Sequence, residues 1–270
     1  MAERIDWSAV LGEAEEVVYS YSTGVTLRQL FYRLVAVHRL PNTSSAYKGL
    51  SSRTAEARRQ GLFPDLIDRG REIHRYRHYP SPESALEQLA RQYRRDRTEG
   101  QDVSLYIGVE KAGLVMQLQD WFGDLGIPIL ALGGYSSQTY VDEVFEDVSS
   151  QDRGAVLLYA GDFDPSGEDI DRDFVARTGC FDKVVRVALS AAQVEHYDLP
   201  PAMGKSTDSR ASQFIERHGV LVQVELDALP PDVLEGLYRD AINEFWDESA
   251  WDAVVEQEAA ERTVIAGASR

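Results

Sequence analysis

The sequence predicts an α/β protein in which a helical N-terminal region precedes a parallel sheet. Two observations support this prediction. After about residue 100, short apolar segments alternate with amphipathic ones, a pattern typical of a doubly wound parallel sheet. Before that point, apolar residues recur mainly at helical spacing. The 270-residue chain can bury a sizeable core. We predict one domain over residues 1–99, a second over 100–190, and an extension over 191–270 packed on the second.

The charge of the chain is unevenly distributed. The net charge of −17 is unusual for a protein that binds nucleic acid. Residues 1–100, however, contain 16 Lys or Arg and 13 Asp or Glu, whereas residues 101–270 contain 12 and 32. The N-terminal region could therefore engage a polyanion, while the acidic remainder limits non-specific binding.

The compartment is indicated by two features. The single cysteine, Cys180, rules out a disulfide within the chain and is typical of a reducing environment. No apolar run is long enough to span a bilayer, and the first residues lack a signal-peptide pattern. We predict a cytoplasmic protein without membrane contact.

The N-terminal region contains three predicted helices. The first covers residues 4–20, and the second begins after Thr26 as its N-cap. The third, over residues 46–60, is basic, and its candidate DNA-binding side chains are Lys48, Arg53, Arg58 and Arg59. The β-compatible segment 61–73 follows. This order is consistent with a winged helix-turn-helix domain. A small helical domain with a solvated basic face is the alternative that the pattern leaves open.

A run of alternating basic and aromatic residues follows at 71–79. Such a run can bind phosphates and stack on bases, so Arg75 and Arg77 are candidate DNA contacts. His74 and His78 are four residues apart, but no third ligand accompanies them, which favours DNA over metal. A charged connecting helix over 84–97 and a hinge at 98–100 complete the region.

The second half supplies the predicted sheet. Strands are predicted at 103–109, 127–132, 155–160 and 184–189, and helices at 114–125, 137–145 and 168–176. Beyond them we predict a further strand at 220–226 and a helix at 231–246. The acidic segment 247–261 is predicted to be helical, either solvated or available to a partner.

Three carboxylates follow predicted strands. Glu110 ends the first strand, and Asp162 and Asp164 follow the third, so they should meet at the crevice beyond the strand ends. Two carboxylates without a basic neighbour would repel unless a hard cation lay between them. Glu110, Asp162 and Asp164 are thus a candidate Mg²⁺ or Mn²⁺ site. The alternative is an ordinary strand-to-helix turn in which an aspartate caps the helix.

These residues resemble a known family. Glu110 followed by Asp162-Phe-Asp164-Pro-Ser-Gly resembles a Toprim domain, and the Pro-Ser-Gly continuation is most similar to topoisomerase VI A subunits and their meiotic double-strand-break relatives. Residues 133–137 are similar to that family's Gly-x-Pro-Ser turn but lack the proline. Arg28-Gln-Leu-Phe31-Tyr32 resembles its Arg-x-x-Tyr-Tyr motif, with Phe31 in place of the first tyrosine. The resemblance spans roughly residues 26–189 and is closest to the short orphan members called Mini-A.

The resemblance implies a magnesium-dependent DNA transesterase. Tyr32 would attack a phosphodiester and form a 5′-phosphotyrosine link. Arg28 would lower the pKa of Tyr32 and hold the scissile phosphate, while Glu110 would serve both catalysis and metal binding with Asp162 and Asp164. The implied partners are double-stranded DNA, a second copy in a homodimer with each tyrosine near the other chain's metal, and a separate GHKL-type ATPase subunit. Two alternatives remain: a Toprim nuclease that uses water, and a non-catalytic DNA-binding or assembly protein.

Overall fold

The described part of the chain is built on a four-stranded parallel sheet. A computed structural model describes residues 5–21, 24–67, 76, 78–134, 136–201, 211–219 and 221–267. The strands are β1 Ser104–Val109, β2 Ile129–Ala131, β3 Ala155–Ala160 and β4 Lys183–Ala188, in the order β2-β1-β3-β4. Every residue of β1 and β3 is buried, as expected for central parallel strands covered on both faces. The predicted α/β class and parallel sheet are confirmed.

Helices precede, flank and follow the sheet. Those before it are α1 Trp7–Ser20, α2 Leu27–Ala36, α3 Ser44–Arg59 and α4 Pro82–Gln92. Those between the strands are α5 Val115–Phe122, α6 Gln138–Ser149 and α7 Gly167–Thr178. Those after it are α8 Ala191–His196, α9 Ala211–His218, α10 Pro231–Asn243 and α11 Glu248–Gly267. None of the described helices combines the length and apolar character needed to cross a membrane.

The start of α2 is fixed by the predicted cap. The Thr26 hydroxyl accepts a hydrogen bond from the Gln29 backbone N–H at 3.2 Å, and the Gln29 side chain accepts one from the Thr26 N–H at 2.9 Å. This reciprocal capping box satisfies two backbone donors that a helix start would otherwise leave unpaired. The Gln29 amide also donates to Gln117 of α5 at 3.2 Å. The capping residue thereby anchors α2 against the sheet region.

The predicted wing is only partly described. Residues 61–67 form no strand, and a single parallel bridge joins Ile67 to Thr26. The rest of the wing segment lies outside the described residues, as do Arg75, Arg77 and His74. The winged-helix arrangement therefore stays a prediction.

The predicted strand at 220–226 is wrong for the residues that are described. Only Val224 pairs with another segment, in an isolated antiparallel bridge to Phe163, and a short 3₁₀ turn, Leu226–Ala228, follows at once. Phe163 lies beyond the end of β3, so the segment crosses the loop after that strand and pairs with this loop rather than with a strand edge. This crossing brings Glu225 and Asp227 to the carboxyl ends of the strands.

The connecting helix is shorter than predicted because its C-terminal residues bind α11. Helix α4 ends at Gln92, and the backbone N–H of Arg95 donates to Glu258 rather than to a helical carbonyl. The Arg97 guanidinium lies 2.8 Å from the Glu258 carboxylate, and that glutamate is 1% exposed. The acidic C-terminal helix therefore packs on the connecting segment through a buried ion pair and a backbone hydrogen bond to the same carboxylate.

Candidate functional site

Register places the predicted acids together. Strands β1 and β3 pair residue for residue up to Val109 and Ala160, so the segments that follow them leave the sheet at the same edge. Glu110 Oε2 accepts a hydrogen bond from the Asp162 backbone N–H at 2.8 Å. Glu110 and Asp162 thus lie together at the carboxyl edge of the sheet, and we refer to Glu110, Asp162 and Asp164 as the acidic turn.

Two glycines permit the close packing of this turn. A Cβ at Gly167 would collide with the Asp162 carbonyl oxygen and lie 3.2 Å from Glu110 Oε2. A Cβ at Gly133 would collide with the Glu110 carbonyl oxygen. The glycine-rich segment from 133, whose Tyr135 lies outside the described residues, therefore packs directly on the acidic turn.

Asp164 closes the strand-to-helix turn. Its Oδ1 accepts a hydrogen bond from the Gly167 N–H at 2.6 Å, at the first residue of α7. Asp164 thus stabilises the strand-to-helix turn that the sequence left open as an alternative, although the N-cap position of α7 is occupied by Ser166. The same carboxylate still acts on Glu110, because its charge is among the causes that raise the Glu110 pKa.

Burial and mutual repulsion disfavour the ionised form of the carboxylates in this turn. Burial, together with the charges of Asp162 and Asp164, raises the pKa of Glu110 to about 7. Burial also raises the pKa of Asp162, although Lys111 and the Leu226 N–H oppose that shift. Raised carboxylate pKa values of this kind are common where a site is arranged for chemistry or for a cation.

A basic neighbour lies among the acids, contrary to the prediction. Lys111 Nζ is 3.3 Å from Asp162 Oδ1, 3.1 Å from Glu225 Oε2 and 3.3 Å from Asp227 Oδ2. Burial alone would lower the pKa of Lys111, but these carboxylates outweigh it and raise that pKa. The expectation that only a bound cation relieves the repulsion is therefore wrong, since the Lys111 ammonium lies beside Asp162.

Arg28 and Tyr32 lie on the same side of this cluster. The Arg28 guanidinium forms an ion pair with Glu225 Oε2, the oxygen that Lys111 also contacts. Tyr32 follows one helical turn later and is only 3% exposed. Burial and Glu225 raise the pKa of Tyr32 to about 12, while Arg28 and Lys111 lower it. The expected influence of Arg28 is present, but burial outweighs it.

The basic residues predicted on α3 have different environments. Arg58 lines a cleft of about 690 Å³ between α2, α3 and the turn after β1, together with Arg28 and Lys111. Arg53 lies over the Trp7 ring at 4.3 Å, and Arg59 pairs with Glu56 on its own helix. Lys48 is exposed. Of these four, Arg58 alone lines that cleft.

The carboxylates of the acidic turn are chemically suited to a hard cation, but their side chains are not arranged as a coordination shell. Within the described ranges, no three Asp, Glu, His or Cys side chains form a ready metal-binding group. The donors available are carboxylate oxygens, which magnesium and manganese prefer. The fully buried Tyr159 hydroxyl lies under Gly161 and has no hydrogen-bond partner in the described part of the chain. A bound cation would be held by Glu110, Asp162 and Asp164.

The site contains three residues that the sequence interpretation missed: Lys111, Glu225 and Asp227. Lys111 follows Glu110 directly, but its direction depends on the turn between β1 and α5. Glu225 and Asp227 lie in the segment predicted as a strand. Their spacing on both sides of Leu226, just before two prolines, was the available signal.

The fold and the site define an α/β protein with a mixed acidic and basic cluster at the carboxyl edge of its sheet. No protein-family model matches the chain, and no curated protein matches it.

Proposed function

We propose that the chain is a DNA-cleaving tyrosine transesterase of the topoisomerase VI A type. In this proposal residues 1–99 form a winged-helix domain carrying Tyr32, and residues 100–190 form a Toprim domain. The observation that carries it is the continuous set of ion pairs from Arg28 through Glu225 and Lys111 to Asp162. This set joins the helix that bears the candidate nucleophile to the candidate metal ligands, so both could act on one phosphate.

The reaction is a transesterification at phosphorus. The Tyr32 hydroxyl gives up its proton as its oxygen forms a bond to phosphorus. The bond to the 3′ oxygen breaks, and that oxygen takes up a proton and leaves as a hydroxyl, so no proton is consumed overall. The product is a 5′-phosphotyrosine link. A phenol whose pKa is about 12 is a poor nucleophile and requires activation. Arg28 and Lys111 both favour the phenolate, and Arg28 can also bind a non-bridging phosphate oxygen.

The candidate metal site would act on the leaving side of the reaction. Magnesium held by Glu110, Asp162 and Asp164 would supply positive charge for the phosphate and the departing oxygen. Glu110 must be ionised to contribute, so its raised pKa in the metal-free chain means that a cation would compete with a proton for this carboxylate. Manganese is the expected substitute because it accepts the same oxygen ligands.

The proposal includes a two-fold homodimer acting on double-stranded DNA. Cutting both strands takes two tyrosines, which a symmetric pair provides. Within the single chain Arg28 already meets Lys111 at Glu225. Each protomer therefore carries a complete site, with Tyr32 acting beside the acidic turn of its own chain, in place of the exchange between protomers that the family resemblance implies. Strand passage would in addition require a separate GHKL-type ATPase.

One observation favours a second candidate, a metal-dependent nuclease that uses water. The Tyr32 side chain is 3% exposed and its pKa is raised, both of which suit a core aromatic. In that reaction the acidic turn would be catalytic and the tyrosine structural. The two candidates differ in whether protein becomes covalently attached to DNA.

The test uses supercoiled DNA and Mg²⁺, with samples analysed before and after protease digestion. The transesterase should give nicked or linear DNA that carries protein on its 5′ ends. This DNA should enter a gel only after the protein is digested. Cleaved DNA with free 5′ phosphates in both samples would contradict the transesterase and support the nuclease.

A further inference from the structure

Two cations from separate elements converge on one carboxylate oxygen. Arg28 of α2 and Lys111 of the turn after β1 both contact Glu225 Oε2, with the Lys111 Nζ at 3.1 Å. The Glu225 side chain is 25% exposed, and the Lys111 side chain is 22% exposed. The contact is therefore a partly buried three-group junction.

The junction has the chemistry of a phosphate site. A guanidinium and an ammonium that converge on one point can bind a negatively charged oxygen. Either a carboxylate or a phosphate can supply that oxygen. Arg28 and Lys111 also line the 690 Å³ cleft, where Arg58 provides a third cation. A phosphate arriving through that cleft would meet the two cations that Glu225 now holds.

Lys111 would not be left without a carboxylate if Glu225 withdrew. Its ammonium also contacts Asp162 and Asp227, each at 3.3 Å. Lys111 would therefore stay beside the acidic turn. Among the described residues, Glu225 is the one carboxylate that pairs with both Lys111 and Arg28 of α2. A phosphate replacing it would lie between the tyrosine helix and the candidate metal ligands.

We propose that Glu225 is a positioning residue that occupies the seat of a phosphodiester, holding Arg28 and Lys111 together until a backbone phosphate of nucleic acid replaces it. This inference rests on the proposed function. It adds that the protein carries an internal competitor for its own substrate. Neutralising Glu225 should therefore tighten binding, whereas loss of an ordinary structural carboxylate would weaken binding or leave it unchanged.

The experiment measures binding of a fluorescent duplex without divalent metal, at one fixed salt concentration, by anisotropy. The variants are Glu225→Gln, Arg28→Gln and the double variant, each first checked by thermal melting. Glu235→Gln is the matched control, because it removes the same charge from an exposed pair with Arg239 on α10. If Glu225→Gln does not fold, Glu225→Asp replaces it, because the shorter side chain draws the carboxylate back from the oxygen position that both cations share. A parallel series uses inorganic phosphate and records the shift in melting temperature.

We expect Glu225→Gln to bind duplex about three to ten times more tightly than wild type, equivalent to roughly 1 kcal/mol. The control should stay within about twofold, and the double variant should lose the gain. Phosphate should stabilise Glu225→Gln more than Glu235→Gln. Equal or weaker binding by Glu225→Gln in both series would overturn the inference while leaving the proposed function intact. If phosphate stabilises Glu225→Gln more than the control but no variant binds duplex, the phosphate site stands and nucleic acid is ruled out as its ligand.

Discussion

The Lys111 ammonium lies 3.3 Å from the Asp162 carboxylate, so the acidic edge of the sheet carries its own cation. A divalent ion that binds Asp162 must compete with this ammonium for the same oxygen. The contact also defines a cost for metal binding: Lys111 has to rely on Glu225 and Asp227 once Asp162 turns to the metal.

We predict that the acidic turn binds a divalent cation. Glu110→Gln and Asp162→Asn should each weaken Mg²⁺ or Mn²⁺ binding at least tenfold in calorimetry, because each removes a charged oxygen ligand. Asp142→Asn on α6 provides a control, since that exposed carboxylate lies away from the turn and contacts Gln138. Unchanged binding in both site variants would remove the metal site from the account.

The raised pKa of Glu110 predicts a pH dependence of stability in metal-free protein. The pKa is about 7 in the folded chain and 4.5 ordinarily, so folding favours the protonated acid. This contribution is fully present below about pH 4.5 and is lost as the pH rises through 7. The loss should amount to about 1–3 kcal/mol of unfolding free energy.

Denaturant unfolding at pH 5 and pH 8 checks this prediction. Wild type should lose more stability between the two pH values than Glu110→Gln, which cannot ionise at that position. Identical changes in the two proteins would show that Glu110 does not titrate as its burial requires.

Much of the sheet was predictable because central parallel strands are continuous apolar runs. The predicted strand at 155–160 has the observed ends. The acids were correctly assigned to the carboxyl edge, because the carboxyl ends of neighbouring parallel strands lie at the same edge of a sheet. Predicted strand 127–132 is shorter in the structure, as only Ile129–Ala131 pairs with β1.

What the sequence could not provide were contacts between distant segments. Lys111 meets Glu225 more than a hundred residues later, and nothing in either local pattern specifies that partner. The 220–226 segment has alternating apolar residues, yet its one bridge is to Phe163, in the loop beyond the end of β3. The acidic tail likewise gave no sign that Glu258 would be buried against Arg97.

We predict that the C-terminal helix is required for stability. Glu258 receives hydrogen bonds from the Arg97 guanidinium and the Arg95 N–H, and it is 1% exposed. Replacing Glu258 by Ala should lower the unfolding free energy by about 3 kcal/mol, because Arg97 would remain buried without its carboxylate. Glu256→Ala, an exposed position on the same helix, should change it by less than about 0.5 kcal/mol. Equal melting temperatures for the two variants would contradict this role.

We predict that α3 contributes to duplex binding through Arg58 and Lys48. Each substitution to Gln should weaken binding and reduce the salt dependence by about 0.9 log units per decade, if each cation neutralises one phosphate. Arg59→Gln should have a smaller effect because Arg59 is paired with Glu56. Arg239→Gln on α10 is the charge-matched control. Anisotropy titrations over a range of salt concentrations measure the slopes, and slopes unchanged from wild type in both α3 variants would rule out this surface.

If Tyr32 is the nucleophile, Tyr32→Phe should abolish cleavage without disturbing the fold. The ring of Tyr32 packs against Phe31, with centroids 5.6 Å apart, so phenylalanine can keep that contact and the fold should change little. The measurement compares wild type, Tyr32→Phe and Asp162→Asn on end-labelled duplex with Mg²⁺, scoring strand breaks and protein-linked 5′ ends separately. We expect strand breaks and protein-linked 5′ ends with wild type and neither product with the two variants. Tyr32→Phe should still bind the duplex. Strand breaks by Tyr32→Phe at the wild-type level would contradict the tyrosine mechanism and establish water as the attacking group.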